Sequence, residues 1–368
     1  MRKSNKRLYL IPVLSKALDI LELLQSENQP MSLETIYKKT KVSKTTVYRV
    51  LKTYTHRGYL AQSTDGLYRA VSRPKKLRFG FAGQSTDMPF SVAVTESLKS
   101  AAASMGVDLM ILDNQYDAMT ALRNAEEFVK NRVDLVIEFQ VEQEVAPVIA
   151  DKIAAAKIPL IAVDIPHPHA TFLGVDNYRV GRDAGELLAQ HAKTNWNGKV
   201  DWVIGLDLPE AGTLVQSRTT GAFEAIKATL GDMPVECFVR IDGRGMRHVS
   251  KDLLADFLKR HPKDKHILVA AATDTSALGA VDAVRAAKRE KHVAVVGQDC
   301  IAEAMEEMRK RSSPLIGSVS HETGTYGPAL VSLGLALLGG QTVPPYNYVS
   351  TRTVTAADLS VQRGSMDL

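Results

Sequence analysis

Six aspartates stand where short apolar runs end: Asp87, Asp164, Asp207, Asp242, Asp274 and Asp299. A carboxylate accepts hydrogen bonds through both oxygens, so several of them around one crevice can hold the hydroxyl groups of a sugar or polyol. A turn or a helix N-cap uses the same residue in the same place, and Asp274, directly before a helical segment, fits that role best. A second chemistry lies near the N-terminus. Between residues 44 and 56, Val47, Val50, Leu51 and Tyr54 recur at helical spacing and form one face. At about 100° per residue, Thr45, Arg49, Lys52 and His56 fall on the opposite face, flanked by Tyr48 and Lys44. That outer face is basic, hydroxylated and short of acids, as a helix lying in a DNA major groove must be. Ser43, Thr46 and the helix N-terminus suit phosphates, whereas Thr45, Arg49 and Tyr48 suit base edges.

Other chemistries find little support. His167-Pro168-His169 offers two imidazoles without a cysteine or a spaced acid, so no metal is expected, and the segment reads as an exposed loop or an edge of the ligand pocket. There is no phosphate-cradling G-x-x-x-x-G-K-[ST] and no G-x-G-x-x-G opening a helix, so no cofactor is expected. AGTLVQS lacks the G-x-S-x-G of a nucleophile elbow. Cys237 and Cys300 are too few for a disulfide framework and read as buried thiols. Arg244, in IDGRGMRH, lies close enough to a strand end to reach an anionic ligand, whereas Arg247 reads as helix-surface charge.

The elements that must position these residues fall into two regions of opposite charge. Residues 1–76 carry a net +11 and residues 77–368 a net −6, hidden in an overall +5 over 368 residues. A basic segment on a mildly acidic body points to a polyanion partner at one end only. The start, MRKSNKRLYLIPVL, imitates a secretory signal, but Lys16, Asp19 and Glu22 interrupt its apolar run. No apolar stretch reaches the ~20 residues of a transmembrane helix. A cytoplasmic protein without a membrane partner is expected.

In the basic region, periodicity predicts a helix over 13–25, a short second helix capped by Ser32, and a third over 44–56 capped by Ser43 and closed by Gly58. Residues 59–62 and 67–70 flank Ser63-Thr64-Asp65-Gly66, a hairpin signal. The sum is a winged helix-turn-helix over 1–71, followed by a basic linker at 72–76. Beyond it, strands are expected at 77–83, 107–113, 134–140, 159–165, 171–176, 200–207, 235–242, 266–273, 293–299 and 315–320. Helical segments such as 90–105, 141–156, 179–194, 275–288 and 326–338 lie between them. The alternation predicts an α/β body of parallel sheets with helices on both faces. Ten strands exceed one compact sheet, so two lobes are expected. Ligands bind such sheets in the crevice beyond the strands' carboxyl ends.

The run LSKALDILELLQSENQPMSLETIYKKTKVSKTTVYRVLKTYTHRGYLAQSTDGLYR resembles the winged helix of IclR-type transcriptional regulators. Tyr48 departs from the more usual His or Ser there, so base preference does not carry over. The body resembles ribose-type periplasmic sugar-binding proteins and the effector domains of lac-repressor-like regulators. The likeness covers residues 77–355 through STDMPFSVAVTESLKSAAASMG, KIPLIAVDI, VDNYRVGRDAGELLA, AGTLVQSRTTGAFEAI, AATDTSALGAVDAV, VAVVGQD and ALLGGQTVPP. It implies two Rossmann-like lobes, about 77–175 with 322–350 and about 176–321 with 351–368, joined by crossing hinge strands, that close on a small ligand. It also implies that Phe90 stacks on a sugar ring, that Asp164 and Asp299 hold hydroxyls, and that His321 reaches in from a hinge. Three positions depart from the ribose pattern: Ile165 and Gln216 stand where arginines would be, and Thr273 replaces an asparagine. Arg218, two residues after Gln216, buttresses the loop.

The reading is a one-component transcriptional regulator, a repressor of carbohydrate-related genes and not an enzyme. Its partners are a palindromic operator, a small sugar or polyol effector, and a second copy in a homodimer. The expected effector contacts are Asp87, Phe90, Asp164, Gln216, Arg218, Asp242, Arg244, Thr273, Asp274, Asp299 and His321. Those to DNA are Ser43, Lys44, Thr45, Thr46, Tyr48, Arg49 and Lys52. A non-regulatory sugar-binding protein is the alternative, and a sugar-modifying enzyme the more distant one.

Overall fold

Apolar spacing builds the N-terminal unit. The structure, a computed structural model, describes residues 11–27, 29–71, 76–231 and 233–364. The chain divides into Met1–Lys76 and Leu77–Leu368, and all but Lys76 of the expected linker lies outside the described residues. In the first unit, α1 (Pro12–Ser26), α2 (Leu33–Thr40) and α3 (Lys44–His56) precede a hairpin of β1 (Leu60–Gln62) and β2 (Tyr68–Ala70). Ile20, Leu24, Ile36, Val47, Leu51, Leu60 and Tyr68 form its core. The Ser32 side chain accepts from the Thr35 amide at 3.2 Å, capping α2 as expected. Ser43 precedes α3, but its Oγ pairs with Thr46 Oγ1 at 2.9 Å instead of with a helix amide.

The body repeats one construction twice. β3 (Arg78–Gly83), α4 (Pro89–Ser104), β4 (Asp108–Asp113), α5 (Ala118–Lys130), β5 (Leu135–Glu138), α6 (Ala146–Ala155), β6 (Leu160–Val163) and β7 (Thr171–Gly174) alternate to make the first lobe. The chain then crosses to α7 (Asn177–Trp196), β8 (Trp202–Asp207), α8 (Gly212–Leu230), β9 (Phe238–Asp242) and α9 (Arg247–Arg260). β10 (Ile267–Ala271), α10 (Asp274–Ala286), β11 (Val293–Asp299), α11 (Ala302–Met308) and β12 (Leu315–Ser320) complete the second lobe. α12 (Tyr326–Leu338) returns to the first lobe and packs on its sheet, with Leu330 and Val331 beside Phe79 and Leu135. Two short strands missed by periodicity end the chain: β13 (Tyr346–Tyr348), parallel to β7, and β14 (Arg352–Thr355), antiparallel to β12, followed by α13 (Ala356–Gly364).

The sheets run β13-β7-β6-β5-β3-β4 and β14-β12-β11-β10-β8-β9, so each closes on a crossover strand. The chain passes between lobes three times, after β7, after β12 and between β13 and β14. Expected and observed strands coincide to within a few residues. The exception is 235–242, which opens with a 3₁₀ turn at Val235–Cys237 before β9. Cys237 and Cys300 are free thiols and only half-buried.

α7 and α8 lie backbone against backbone because three glycines face the seam. A Cβ on Gly181 would sit 2.0 Å from the Arg218 carbonyl oxygen, one on Gly185 2.3 Å from that of Ala222, and one on Gly221 2.3 Å from that of Tyr178. Gly181→Val is therefore expected to destabilise the body by about 1–3 kcal/mol, since overpacking forces the helices apart. A thermal melt should show a lower midpoint, and an unchanged one would mean that the seam yields without cost.

Candidate functional site

The strands β6 and β11 hold equivalent places, third from the crossover edge of each sheet. Each delivers an aspartate to the cleft between the lobes. Asp164 directly follows β6 and Asp299 ends β11, and both have positive φ, 59° and 105°. Aspartate tolerates the left-handed region better than most residues, and strain of this kind collects at ligand sites. The cleft is lined by Phe90, Asp164, Arg218, Thr273 and Asp299, with Ile165, Tyr116, Phe139, Leu208, Val215 and Ile301 as its apolar wall. Gln84, Thr275 and Gly245 also border it.

Each polar lining group is held from behind. The Tyr326 hydroxyl donates to Asp164 Oδ1 at 3.0 Å. Burial pushes the Asp164 carboxyl up to about 6, although the neighbouring Arg218 opposes this. Arg218 is buried, donating from Nε to Asn177 Oδ1 at 2.6 Å and from Nη1 to the Ala272 carbonyl oxygen at 2.7 Å. Thr273 accepts from the Ser276 amide at 3.1 Å, capping α10. Phe90 stands edge-on to Phe139, His321 and Tyr326, with centroids 5.6–6.1 Å apart. Burial, and then the nearby Asp274, raise the Asp299 carboxyl well above its ordinary range.

Six expected effector residues do not line this cleft. Asp87 is exposed in the turn before α4. Gln216 borders a separate groove with Glu142, Glu144 and Glu210, because it stands one residue from Val215 and two from Arg218, about 100° and 200° round the helix from them. Asp242 accepts from the Arg244 amide at 3.0 Å, serving the turn after an edge strand. Arg244 is 63% exposed and donates to Glu210 Oε1 at 3.0 Å. Asp274 is fully buried and ties the turn after β11 to β12, accepting from the Ile301 amide at 2.9 Å and from Ser318 Oγ at 2.7 Å. Thr273, not Asp274, is the N-cap. His321 is fully buried behind Phe90 and beside Asp299. His167 is neither in an exposed loop nor on the cleft lining: it is buried, with Nδ1 2.9 Å from the Ile165 carbonyl oxygen. Among the described residues no group of three or more potential ligands could hold a metal ion.

Sequence reasoning missed Tyr116, Phe139 and Ile301 in the wall, and Asn177 and Tyr326 behind it. No local signal marks them, since each reaches the cleft only where segments far apart in the chain pack together. One cluster of apolar side chains joins the lobes across the mouth: Val141, Ile165 and Tyr116 from the first, and Leu208, Ala211, Val215 and Ala272 from the second.

In the N-terminal unit, Ser43 before α3 and Lys44, Thr45, Tyr48, Arg49 and Lys52 on it are exposed, and Thr46 is half-buried. Lys44 pairs with Glu34 at 2.6 Å, and Lys52 lies over the Tyr48 ring at 5.8 Å. Arg49 has no side-chain partner among the described residues.

Residues 79–342 match the periplasmic binding protein domain family. The chain belongs to that family. Residues 13–64 match the IclR helix-turn-helix domain, so this binding-protein body is fused to a DNA-binding module. The body is similar to the D-ribose/D-allose-binding protein of Pseudomonas aeruginosa, with 25% identity over 284 residues covering 73% of this chain and 84% of that protein. Among solved structures it is similar to a periplasmic solute binding protein from Actinobacillus succinogenes with bound D-allose. There the TM-score is 0.67 at 18% identity, covering 78% of this chain and 100% of that one. A solute binding protein from Bacillus halodurans with bound myo-inositol gives a TM-score of 0.67 at 20% identity, covering 80% and 99%. Among the described residues no helix is long and apolar enough to cross a membrane. Both matched families are binding modules rather than catalytic ones.

Proposed function

We propose that the chain is a transcriptional repressor of carbohydrate-related genes, acting in the cytoplasm, whose operator binding responds to a small sugar or polyol held between the lobes. The observation that carries this reading is the fusion itself, an IclR helix-turn-helix domain and a periplasmic-binding-protein body in one chain. The cleft suits the ligand class. Two carboxyls and one arginine meet hydroxyl groups, Phe90 offers a ring face, and relatives carry D-allose and myo-inositol in equivalent folds. Ile165 in the wall, where a ribose site would have a charge, argues for a different sugar or polyol.

The active form is a homodimer on a palindromic operator, because one winged helix buries too little surface for tight binding at cellular salt. α1 supports this with an apolar stripe open to solvent, Ile11, Leu14 and Leu18 at 62%, 54% and 45% exposure. α12, also apolar, packs into the first lobe instead. Lobe closure on the effector biases the dimer between operator-binding and released states.

The test uses the full-length protein. A duplex selected from a random pool should be bound tightly, and one member of a panel of pentoses, hexoses and polyols should change that affinity and be recovered unchanged. Absence of any selected sequence would remove the regulator reading. Chemical conversion of the sugar would favour an enzyme.

A further inference from the structure

Asp299 in the cleft is backed by His321, which directly follows β12, is fully buried, and whose Nδ1 has no hydrogen-bond partner. Two contacts fix the proton on the other ring nitrogen. Gln298, buried on β11, places its amide nitrogen 3.3 Å from the Val180 carbonyl oxygen. A carbonyl can only accept, so this end of Gln298 is its NH₂ group and the other end is its oxygen. That oxygen lies 3.1 Å from His321 Nε2, which must therefore carry hydrogen. In the neutral ring Nδ1 is then a bare lone pair, and Asp299 Oδ1 lies 3.4 Å from it. A lone pair facing a largely buried, ionised carboxylate is repulsive, and a single proton between the two relieves both groups.

We infer that Asp299 and His321 share one proton, carried by Asp299, so that His321 is a positioning residue that keeps a cleft carboxyl neutral and orients it toward the ligand. The groups packed around the pair favour this placement. Asp274 at the start of α10 and Asp164 after β6 both oppose a negative charge on Asp299. Arg218 on α8 favours that charge, yet it also opposes a proton on His321. Burial raises the Asp299 carboxyl and lowers the His321 imidazole, in each case strongly. The Tyr326 hydroxyl is occupied by Asp164, and Phe90 closes the remaining side edge-on.

One consequence rests on the sugar reading of the cleft. With the pair neutral, Asp164 and Arg218 are the remaining formal charges among the lining residues, and they cancel. The cleft then takes an uncharged polyol and discriminates against sugar acids and amino sugars.

The pair itself is tested without a ligand. Full-length protein labelled with ¹⁵N-histidine is compared with His321→Gln to assign the His321 ring. At pH 7 the expected spectrum has a protonated Nε2 and an unprotonated Nδ1 that accepts a hydrogen bond. A ring protonated on both nitrogens, or on Nδ1 alone, would overturn the inference. Asp299→Asn gives a second reading, because its amide donates to Nδ1 as a protonated carboxyl does. It should melt several degrees above the parent at pH 7, because the parent's carboxyl must take up a proton on folding there, and that gain should vanish near pH 4, whereas a fall of more than about 5 °C would mean that an ion pair had been broken. A blank sugar panel with the expected spectrum would remove the sugar reading and leave the shared proton standing.

Discussion

Arg49→Ala is expected to weaken binding to the selected operator by about 5- to 150-fold at 0.15 M salt, the range for losing one good base contact. Arg49 is exposed on α3, opposite the buried Val47, Val50 and Leu51, so its removal leaves the core of the unit intact. It also has no partner to release among the described residues, unlike Lys44, which is held by Glu34. The melting midpoint should therefore stay unchanged. If Arg49 reads a base, the variant should lose discrimination between operator and unrelated duplex while the salt dependence keeps its slope. A slope reduced by about one, with affinity lowered equally on every sequence, would place Arg49 on a phosphate instead. Unchanged affinity would mean that α3 does not enter the groove by this face.

Asp164→Asn should move stability and ligand binding in opposite directions. The folded carboxyl is raised to about 6 from an ordinary 3.8, so the fold favours its protonated form. That preference stabilises the native state fully below the unfolded value and is lost as pH rises through about 6. At pH 7.5 the native protein therefore carries a buried charge that asparagine does not, while the asparagine oxygen can still accept from Tyr326. The variant should be more stable at pH 7.5 by about 1–2 kcal/mol, a rise of a few degrees, with no gain near pH 4. The same change removes a charged acceptor from the cleft and should weaken a bound sugar by about 10- to 150-fold. Isothermal titration with the sugar identified from the panel, together with melts at the two pH values, checks both halves. A variant that is less stable at pH 7.5 would show that the charge is better compensated than its surroundings indicate.

These two expectations concern different units, and the family fusion is what joins them. Arg49 is exposed on its helix, whereas Asp164 is buried in its lobe.

Much of this was legible in the chain because local periodicity records burial. Val47, Val50 and Leu51 at helical spacing, Ser32 before its helix, Asp65-Gly66 between two short apolar runs, and ten apolar strand segments each carry their own signal within a dozen residues. The asymmetry of charge between residues 1–76 and 77–368 needs no structure at all. The sequence alone therefore determined the winged helix, the α/β body and the strand-end location of the cleft. What it could not decide is which strand ends meet. Asp164, Asp242 and Asp299 look alike locally, yet β9 lies at a sheet edge while β6 and β11 hold matching inner places, so only two of the three reach the cleft. β13 and β14 are only three and four residues long, and they pair with strands far back in the chain, leaving no periodic trace. The glycine seam of α7 and α8, which carries Arg218 into the cleft, and the contact of His321 with Asp299 likewise arise between distant segments. Burial is written along the chain, but the meeting of side chains from separate strands depends on strand order and register, which only the tertiary structure sets.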